Sequence, residues 1–408
     1  MKGIGNNAFV AAALGLATLA GAPAPSTPSD EYLVYIGTYT GFKFMNYTDP
    51  WGRSQSQGIY VARFRPGTGT VTDPQLAAKI VNPGYLAVHP NHRFLYATIE
   101  DPQSLGPARD HSSYVSAFAI DPRSGQLTLL NTVPAGGTST CYISLDRSGQ
   151  YALLANFGSG SVSVLRIRDD GSLGELTGFM QHTGKGADFR QTGPHPHSIN
   201  VSVDNRFAIV ADLGLDRLLV YHFDAANGSL GPDDPPFVTV EPGSEPRHFT
   251  FDANGKFGYL INERSGVVTT YAWDARRGVL TEIQSSATLP KNFHGLNDSA
   301  EIALHPNGKF LYESNRRKEG PDWGGDTIGV FSIDSKKGTL SPVEQASPGG
   351  IMPRSFGIDP TGAYLFSANQ YSGEVAILRI DAGSGRLAAT GNALKVDAPS
   401  CVKFVPVE

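Results

Sequence analysis

Residues 303–316 read ALHPNGKFLYESNR: an apolar strand, a tight turn, and a second apolar strand that begins with an aromatic residue. The same arrangement occurs five more times, as AVHPNHRFLYATIE, SLDRSGQYALLANF, NVSVDNRFAIVADLG, TFDANGKFGYLINER and GIDPTGAYLFSANQ. The aromatic residues after the turn are 57, 56, 50, 53 and 54 positions apart, and they are Phe94, Tyr151, Phe207, Phe257, Phe310 and Tyr364. Self-similarity at this period indicates an array of small β-sheets, one for each repeat.

The two ends of the chain supply a seventh repeat. Ser400–Val407 begins a unit but stops after its first strand, and Glu31–Thr38 matches the second strand Lys309–Arg316. Joining both ends in one sheet closes a ring and removes the exposed sheet edges, which an open array would not require. The sequence therefore predicts an all-β, seven-bladed β-propeller over residues 31–408, with the N- and C-terminal strands sharing the last blade.

Composition excludes several classes of function. The 408 residues carry a net charge of -5, so there is no basic surplus with which to bind nucleic acid. Two cysteines cannot form a disulfide framework, and no metal-binding or cofactor-binding motif is present in the sequence. We expect a monomer that acts on a small molecule without a metal or a cofactor.

The N-terminal segment is distinct from the repeats. Residues 1–24 contain one lysine, an apolar run from Phe9 to Leu19 and then small residues, which is typical of a secretory signal peptide. Residues 25–30 form a linker rich in proline and serine. We expect a periplasmic or secreted protein with no membrane attachment after cleavage. The alternative is a loose or weakly anchored tail, with the protein in the cytoplasm.

The repeat also predicts where a site would lie. In a propeller the first strand of each blade lines the central channel, and the loops entering strand one and leaving strand two open on the same face. The entering positions are Gly84, Cys141, His197, Arg247, Glu301, Arg354 and Cys401, and the leaving positions are Glu100, Asn156, Asp212, Glu263, Arg316, Asn369 and Gln370. This face gathers charged and polar residues, whereas the other face receives ordinary hairpin turns.

Four of these residues are candidates for catalysis. A neutral imidazole at His197 could transfer a proton, although from spacing alone a loop histidine that hydrogen-bonds a neighbouring blade is the commoner case. Arg247 and Glu263 end adjacent strands of one blade and should be close, either as a structural ion pair or as functional groups. Arg316 offers a planar fork that suits a carboxylate or phosphate. The candidates for substrate binding are Arg190, His195, Glu301, Arg354, Asn369 and Gln370.

Segments across almost the whole chain after residue 30 resemble one family. These are YLVYIGTYTG, NPGYLAVHPNHRFLYA, GPHPHSINVSVDNRF, EPRHFTFDANGKFGYLINE, SAEIALHPNGKFLYESNR, PRSFGIDPTGAYLFSANQ and PSCVKFVP. They resemble the seven-bladed lactonase family, which includes propeller-type 6-phosphogluconolactonase and the fungal carboxy-cis,cis-muconate lactonizing enzyme. The resemblance implies that the family's active-site residues correspond to His197, Arg247, Glu263 and Arg316.

Three functions are compatible with these residues. The first is hydrolysis of a sugar-type or other acidic lactone, with Glu263 or His197 activating water and Arg247 and Arg316 holding the anionic group and the developing oxyanion. The second is a lactonizing cycloisomerase that uses the same residues to form the ring. The third is a non-enzymatic propeller that binds a ligand, which requires that the His, Arg and Glu side chains do not converge.

Overall fold

The computed structural model describes residues 29–41, 53–100, 112–289, 293, 295–319, 322–323 and 325–407. Within these ranges the chain forms strands and turns and no helix. Consequently, the described residues contain no helix that could cross a membrane. The segment expected to be a signal peptide, and most of the linker after it, lie outside the described residues.

Seven antiparallel sheets follow one another along the chain. The N-terminal strands are β1 (Tyr32–Thr38), β2 (Gly58–Arg65), β3 (Thr70–Val71) and β4 (Gln75–Lys79), and they belong to blade 7. Blade 1 comprises β5 (Pro83–Val88), β6 (Phe94–Ile99), β7 (Tyr114–Ile120) and β8 (Leu127–Pro134). Blade 2 comprises β9 (Thr140–Leu145), β10 (Tyr151–Asn156), β11 (Ser161–Ile167) and β12 (Leu173–Gln181). Blade 3 comprises β13 (Pro196–Val201), β14 (Phe207–Asp212), β15 (Arg217–Asp224) and β16 (Ser229–Thr239).

The remaining blades repeat this order. Blade 4 comprises β17 (Pro246–Phe251), β18 (Phe257–Asn262), β19 (Val267–Asp274) and β20 (Val279–Ala287). Blade 5 comprises β21 (Leu296–Leu304), β22 (Phe310–Glu319), β24 (Thr327–Ile333) and β25 (Leu340–Ala346), with the short β23 (Asp322–Trp323) paired to β22. Blade 6 comprises β26 (Pro353–Ile358), β27 (Tyr364–Asn369), β28 (Glu374–Ile380) and β29 (Leu387–Lys395). The last strand is β30 (Pro399–Pro406).

The seventh blade is shared by the two ends of the chain. Strand β30 pairs antiparallel with β1, so that Tyr32 lies opposite Pro406 and Ile36 opposite Val402. The innermost strands contact one another in the order β5, β9, β13, β17, β21, β26, β30 and back to β5, which is a closed ring. The predicted seven-bladed propeller with a split last blade is confirmed.

The second strand of each blade is the most deeply buried. In β1, β6, β10 and β14 every residue is buried, because each blade is covered on both faces by its neighbours. Residues pointing to either face must therefore be apolar or fully hydrogen-bonded. This accounts for sequences such as FLYATI and YALLAN, which lack the polar alternation of a sheet with one face in water.

A tyrosine hydroxyl links neighbouring blades at several of the blade junctions. Each of these hydroxyls donates to a glycine carbonyl in the turn between the outer strands of the next blade, at distances of 2.7–3.1 Å. The pairs are Tyr35 with Gly125, Tyr96 with Gly171, Tyr259 with Gly338, and Tyr312 with Gly385. At Gly385, φ is 74° and a Cβ atom would lie 2.5 Å from the Phe310 ring, so the turn requires glycine.

Removing one of these hydroxyls should weaken the junction between two blades. Tyr312→Phe leaves the Gly385 carbonyl buried without its donor, so we expect a loss of about 1–3 kcal/mol in the free energy of unfolding. The measurement is chemical denaturation of the purified variant. Tyr364→Phe is the matched control, because that hydroxyl makes no hydrogen bond to the described residues. Equal stability of the two variants would contradict the role assigned to the junction bond.

Candidate active site

Several inner strands have a β-bulge near their start, and the side chain of the extra residue reaches the channel mouth. In blade 4, Pro246 lies opposite Asn262 and His248 opposite Ile261, so Arg247 has no partner on the adjacent strand. The register shifts in the same way at His197 in blade 3 and at Arg354 in blade 6. A β-bulge re-aims the side chain of its extra residue, and here the three side chains all reach the same cavity.

A second set of side chains comes from positions at the end of the second strand of a blade, such as Glu263, which directly follows Asn262 at the end of β18. Together with the bulge residues they enclose a cavity of about 470 Å³ at the mouth of the channel. Its lining residues are Glu100, Cys141, Phe157, Arg190, His195, His197, Leu213, Glu245, Arg247, Glu263, Arg316 and Arg354. The four residues expected to carry out catalysis, from blades 3, 4 and 5, therefore line one cavity.

Glu263 bridges two arginines at the centre of this cavity. Arg247 Nε donates to Glu263 Oε2 at 2.8 Å, and Arg316 NH2 lies 3.2 Å from the same oxygen. Arg247 also donates to the Ala300 carbonyl at 2.6 Å, and Arg316 Nε to the Asp298 carbonyl at 2.6 Å. Both guanidiniums are almost completely buried, so the carboxylate and carbonyls replace the water that their charges would otherwise require.

The arginines control the charge of Glu263. Burial alone would raise the pKa of this carboxyl, but Arg316, Arg247, Arg354 and Arg190 together hold its pKa below the ordinary value of 4.5. Burial and the neighbouring Arg316 in turn lower the pKa of Arg247 to about 10, which still leaves that guanidinium charged at neutral pH. Glu263 is thus a fully ionised carboxylate at neutral pH, and it is a weak base.

The pKa of Glu245 is raised, whereas that of Glu263 is lowered. Its Oε1 lies 2.5 Å from Arg190 NH2, which comes from the loop before blade 3. Burial, assisted by the nearby charge of Glu263, outweighs Arg190 and raises the pKa of Glu245 to about 7. Sequence analysis selected Arg190 but not Glu245; the signal available was the motif Glu245-Pro246-Arg247, in which the glutamate directly precedes the inner strand.

The two histidines expected at the site both line the cavity. His195 stacks on Phe157, with ring centroids 4.5 Å apart, and its Nδ1 lies 2.9 Å from the Phe157 carbonyl oxygen. His197 is buried, and its Nδ1 has no hydrogen-bond partner among the residues described. Burial, together with the charges of Arg247 and Arg354, keeps the pKa of His197 well below its ordinary value. The imidazole is therefore neutral at neutral pH.

Arg354, Tyr39 and Glu100 form a hydrogen-bonded group whose pairing was not predicted from the sequence. Arg354 NH2 donates to the Tyr39 hydroxyl at 2.9 Å, and that hydroxyl donates to Glu100 Oε2. Glu100 was recognised as a mouth position, but Tyr39 was not, because it follows β1 and its relation to Arg354 appears only when the ring is closed. The group holds Arg354 against the wall of the cavity shared by blades 6, 7 and 1.

Three of the residues expected to bind substrate do not line this cavity. In blade 5 Ser299 pairs with Asn315 and Ile302 with Glu313, so Ala300 and not Glu301 matches Arg247 of blade 4. The placement of Glu301 was wrong by one residue. Asn369 is the last paired residue of β27, and its amide donates to the Pro348 carbonyl. Gln370 follows it and is buried, but it is also absent from the lining.

Glu301 belongs instead to a buried group deeper in the channel. Its Oε1 lies 2.7 Å from His248 Nδ1, and its Oε2 accepts the Ser355 hydroxyl at 2.9 Å. Burial would raise the pKa of Glu301, but His248 and Lys403 lower it to about 2, and burial lowers the pKa of His248 to about 4. Glu301, His248 and Lys403 line a separate cavity of about 360 Å³, which is also lined by Tyr85 and Tyr142.

Among the described residues, no group of three or more His, Cys, Asp or Glu side chains could hold a metal ion. The positive charge of the mouth cavity comes from its four arginines. The two cysteines are free and buried. Cys141 lies in the cavity wall, where burial raises the pKa of its thiol, so it is not a ready nucleophile.

Comparison with known proteins agrees with this architecture. Residues 33–404 match the sequence model of the family described as "Lactonase, 7-bladed beta-propeller". The 6-phosphogluconolactonase of Bacillus subtilis is 33% identical over 375 residues, which is 92% of this chain and 99% of that protein. The 6-phosphogluconolactonase of Formosa agariphila is also 33% identical, over 85% of this chain and 95% of its own length.

A solved structure is similar over the same extent. The periplasmic gluconolactonase of Pseudomonas aeruginosa is 32% identical and superposes with a TM-score of 0.83, covering 93% of this chain and 100% of that one. The chain therefore belongs to the lactonase family of seven-bladed β-propellers. The expected resemblance to propeller-type 6-phosphogluconolactonases is confirmed, and with it the assignment to the lactone hydrolases.

The bridge at Glu263 should contribute to stability in a pH-dependent way. Because the folded-state pKa is lowered, its stabilisation is fully present above the ordinary value of 4.5 and is lost as the pH falls through the folded-state pKa. Glu263→Gln leaves two buried guanidiniums without their anion, so we expect a loss on the order of 3 kcal/mol at pH 7.

The measurement is thermal or chemical unfolding of the variant and the wild type at several pH values. The difference between the two proteins should shrink as the pH falls below 4.5. Glu175→Gln, at an exposed carboxylate of blade 2, is the control and should change little at either pH. A Glu263→Gln protein as stable as the wild type at pH 7 would show that the bridge does not stabilise the site.

Proposed function

We propose that the protein hydrolyses an unphosphorylated sugar lactone of the glucono-δ-lactone type, outside the cytoplasm. The observation that supports this most directly is the pairing of the four arginines that line the cavity. Each already donates to a carboxylate, a hydroxyl or a carbonyl, through Glu263, Glu245, Tyr39 and the backbone. The charges of the lining residues are therefore nearly balanced rather than strongly positive.

This balance disfavours a phosphate dianion. To bind one tightly, a site usually supplies several donors whose charge is not already neutralised. Here a phosphate that approached Arg247 or Arg316 would also approach Glu263, which shares both guanidiniums. Glu100 and Glu245 line the same cavity and would add further repulsion. A neutral lactone meets no such repulsion, and its hydroxyls can bond to carboxylates and arginines alike.

The cavity also suits the shape of a sugar ring. One wall is formed by Phe157 with His195 stacked on it and by Leu213, and this apolar surface can pack against the C–H face of a pyranose lactone. The lining also includes Arg247 and Arg316, which can turn their remaining N–H groups toward the lactone carbonyl. These donors would stabilise the negative charge that develops on the carbonyl oxygen when water attacks.

Hydrolysis is favoured over ring closure. The similar proteins of B. subtilis, F. agariphila and P. aeruginosa are all named as lactone hydrolases. The charged side chains converge in one cavity, so the requirement of the non-enzymatic alternative is not met. The product of hydrolysis is a carboxylate, and Arg247 and Arg316 lie where that new charge would form.

A direct comparison of two substrates tests the proposal. We expect kcat/KM for glucono-δ-lactone to exceed that for 6-phosphogluconolactone by about tenfold or more, equivalent to about 1.4 kcal/mol of discrimination against the phosphate. Ring opening is followed by pH-stat, with the spontaneous rate subtracted. A preference for the phosphorylated lactone would contradict the charge argument. No turnover of either lactone would contradict the proposed activity.

The location outside the cytoplasm rests on residues 1–24. Cells expressing the full gene should contain a shortened protein in the periplasmic or extracellular fraction, whereas a variant with Leu14→Arg and Leu16→Arg in the apolar run should stay in the cytoplasm at full length. The measurement is fractionation followed by intact-mass analysis. Full-length wild-type protein in the cytoplasm would contradict export and would bring the protein into contact with phosphorylated sugars.

A further inference from the structure

We propose that Glu245 is the general base that activates the hydrolytic water, an assignment that rests on the proposed lactone hydrolysis. Glu245 lines the mouth cavity. Only Oε1 is bound, to Arg190 at 2.5 Å, while Oε2 accepts no hydrogen bond from the described residues. One oxygen thus fixes the carboxylate, and the other is available to accept a proton from water.

The other candidates are chemically less suited. Glu263 Oε2 is shared by Arg247 and Arg316, so the charge that would attract a proton is already neutralised. Glu100 Oε2 accepts the Tyr39 hydroxyl, and that hydroxyl is in turn held by Arg354. His197 is a neutral, buried imidazole with no residue orienting its Nδ1 among those described. A catalytic imidazole is normally oriented by a partner at that atom.

The backbone holds Glu245 firmly in place. Its φ of 59° is left-handed, and Pro246 follows it immediately, which restricts the local backbone. Its amide donates to Asp216 Oδ1 at 3.1 Å, and its carbonyl accepts the Glu263 amide at 2.7 Å. The backbone of Glu245 is therefore fixed beside Glu263, whose carboxylate pairs with the two arginines that would bind the carbonyl.

The charged surroundings also suit a base that works near neutral pH. Burial raises the pKa of Glu245 most, Arg190 lowers it, and the charges of Glu263 and Asp298 raise it further, so that the pKa is about 7. Other charged groups lie nearby. Asp188 pairs with Arg190, and Arg264 pairs with Asp298. Asp216 accepts the hydrogen bond from the Glu245 amide, and Arg247 and Arg316 pair with Glu263. General bases are most effective when their pKa is near the working pH.

The chemical step balances without any further reactant. Glu245 Oε2 takes a proton from water as the water oxygen bonds to the lactone carbonyl carbon, and the carbonyl π-electrons move onto oxygen beside Arg247 and Arg316. When this tetrahedral intermediate collapses, the ring C–O bond breaks, and the ring oxygen leaves with the electron pair and takes the proton back from Glu245. The carboxylic acid formed then loses its proton to solvent.

The pH dependence of the wild type provides the first test. The base must be deprotonated, so kcat/KM for glucono-δ-lactone should rise with pH through a midpoint near 7. Arg190→Met removes the positive charge that lowers the pKa of Glu245, so it should move this midpoint to higher pH. A wild-type midpoint below about 5.5, or a midpoint that Arg190→Met does not raise, would overturn the assignment of the base.

Substitution of the residue provides the second test. Glu245→Gln keeps the shape of the side chain, and we expect kcat to fall on the order of 10²–10⁴-fold. The acid limb of the pH profile, which is the rise of kcat/KM with pH through a midpoint near 7, should vanish. Glu241→Gln, at an exposed carboxylate of the same loop, is the matched control and should retain both rate and limb. His197→Asn should be slower but should keep the rise in rate near pH 7. Glu263→Gln should also keep a pH-dependent rise, but with its midpoint at lower pH, because the charge of Glu263 raises the pKa of Glu245.

The outcomes separate the two proposals. A folded Glu245→Gln protein with wild-type turnover or an unchanged limb would overturn the assignment of the base while leaving lactone hydrolysis intact. A wild type that opens neither lactone would overturn the proposed function itself. Folding is checked by thermal unfolding at pH 5 and pH 8. At pH 8, Glu245→Gln should be more stable than the wild type. The gain is expected because a raised carboxyl pKa costs stability as the pH rises through it.

Discussion

The pairing of β1 with β30 is the constraint on which the rest of the molecule depends. Strands from opposite ends of the chain form the inner half of one blade, and this closes the ring of seven inner strands. Closure covers the sheet edges and lets each blade be buried on both faces by its neighbours. It also fixes the position of Tyr39, directly after β1, against Arg354 of blade 6. The cavity wall is complete only when the two ends have met.

Within that ring the site is organised around shared charge. Glu263 of blade 4 neutralises one arginine from its own blade and another from blade 5, so the ion pairs that hold the site also tie the blades together. Because the arginines are satisfied by protein groups, the cavity can orient a polar substrate without attracting every anion. Glu245, one loop away, retains a proton affinity suited to proton transfer because burial dominates its surroundings. Two glutamates in one cavity thus have different properties, which their neighbours determine.

The repeat period predicted the fold and much of the site. Seven units, the split blade and the mouth positions of His197, Arg247, Glu263, Arg316 and Arg354 all follow from aligning the repeats, because equivalent positions in a propeller occupy equivalent places around the channel. Glu301 was misplaced because it lies 9 residues before Phe310, whereas Arg247 lies 10 residues before Phe257, so that Ala300 is the equivalent position in blade 5. The role of Glu245 could not be predicted, since it depends on Arg190, which reaches it from a loop 55 residues earlier in the chain.

The most direct test of the central claim is a crystal structure of the protein with gluconolactam, an analogue in which a ring N–H replaces the ring oxygen and resists hydrolysis. The account predicts that the lactam carbonyl oxygen lies within hydrogen-bond distance of the Arg247 and Arg316 guanidiniums, with the sugar ring against Phe157. It also predicts a water molecule between Glu245 Oε2 and the carbonyl carbon. A lactam bound in the deeper channel beside His248 and Glu301, or one that leaves the mouth cavity empty, would contradict it.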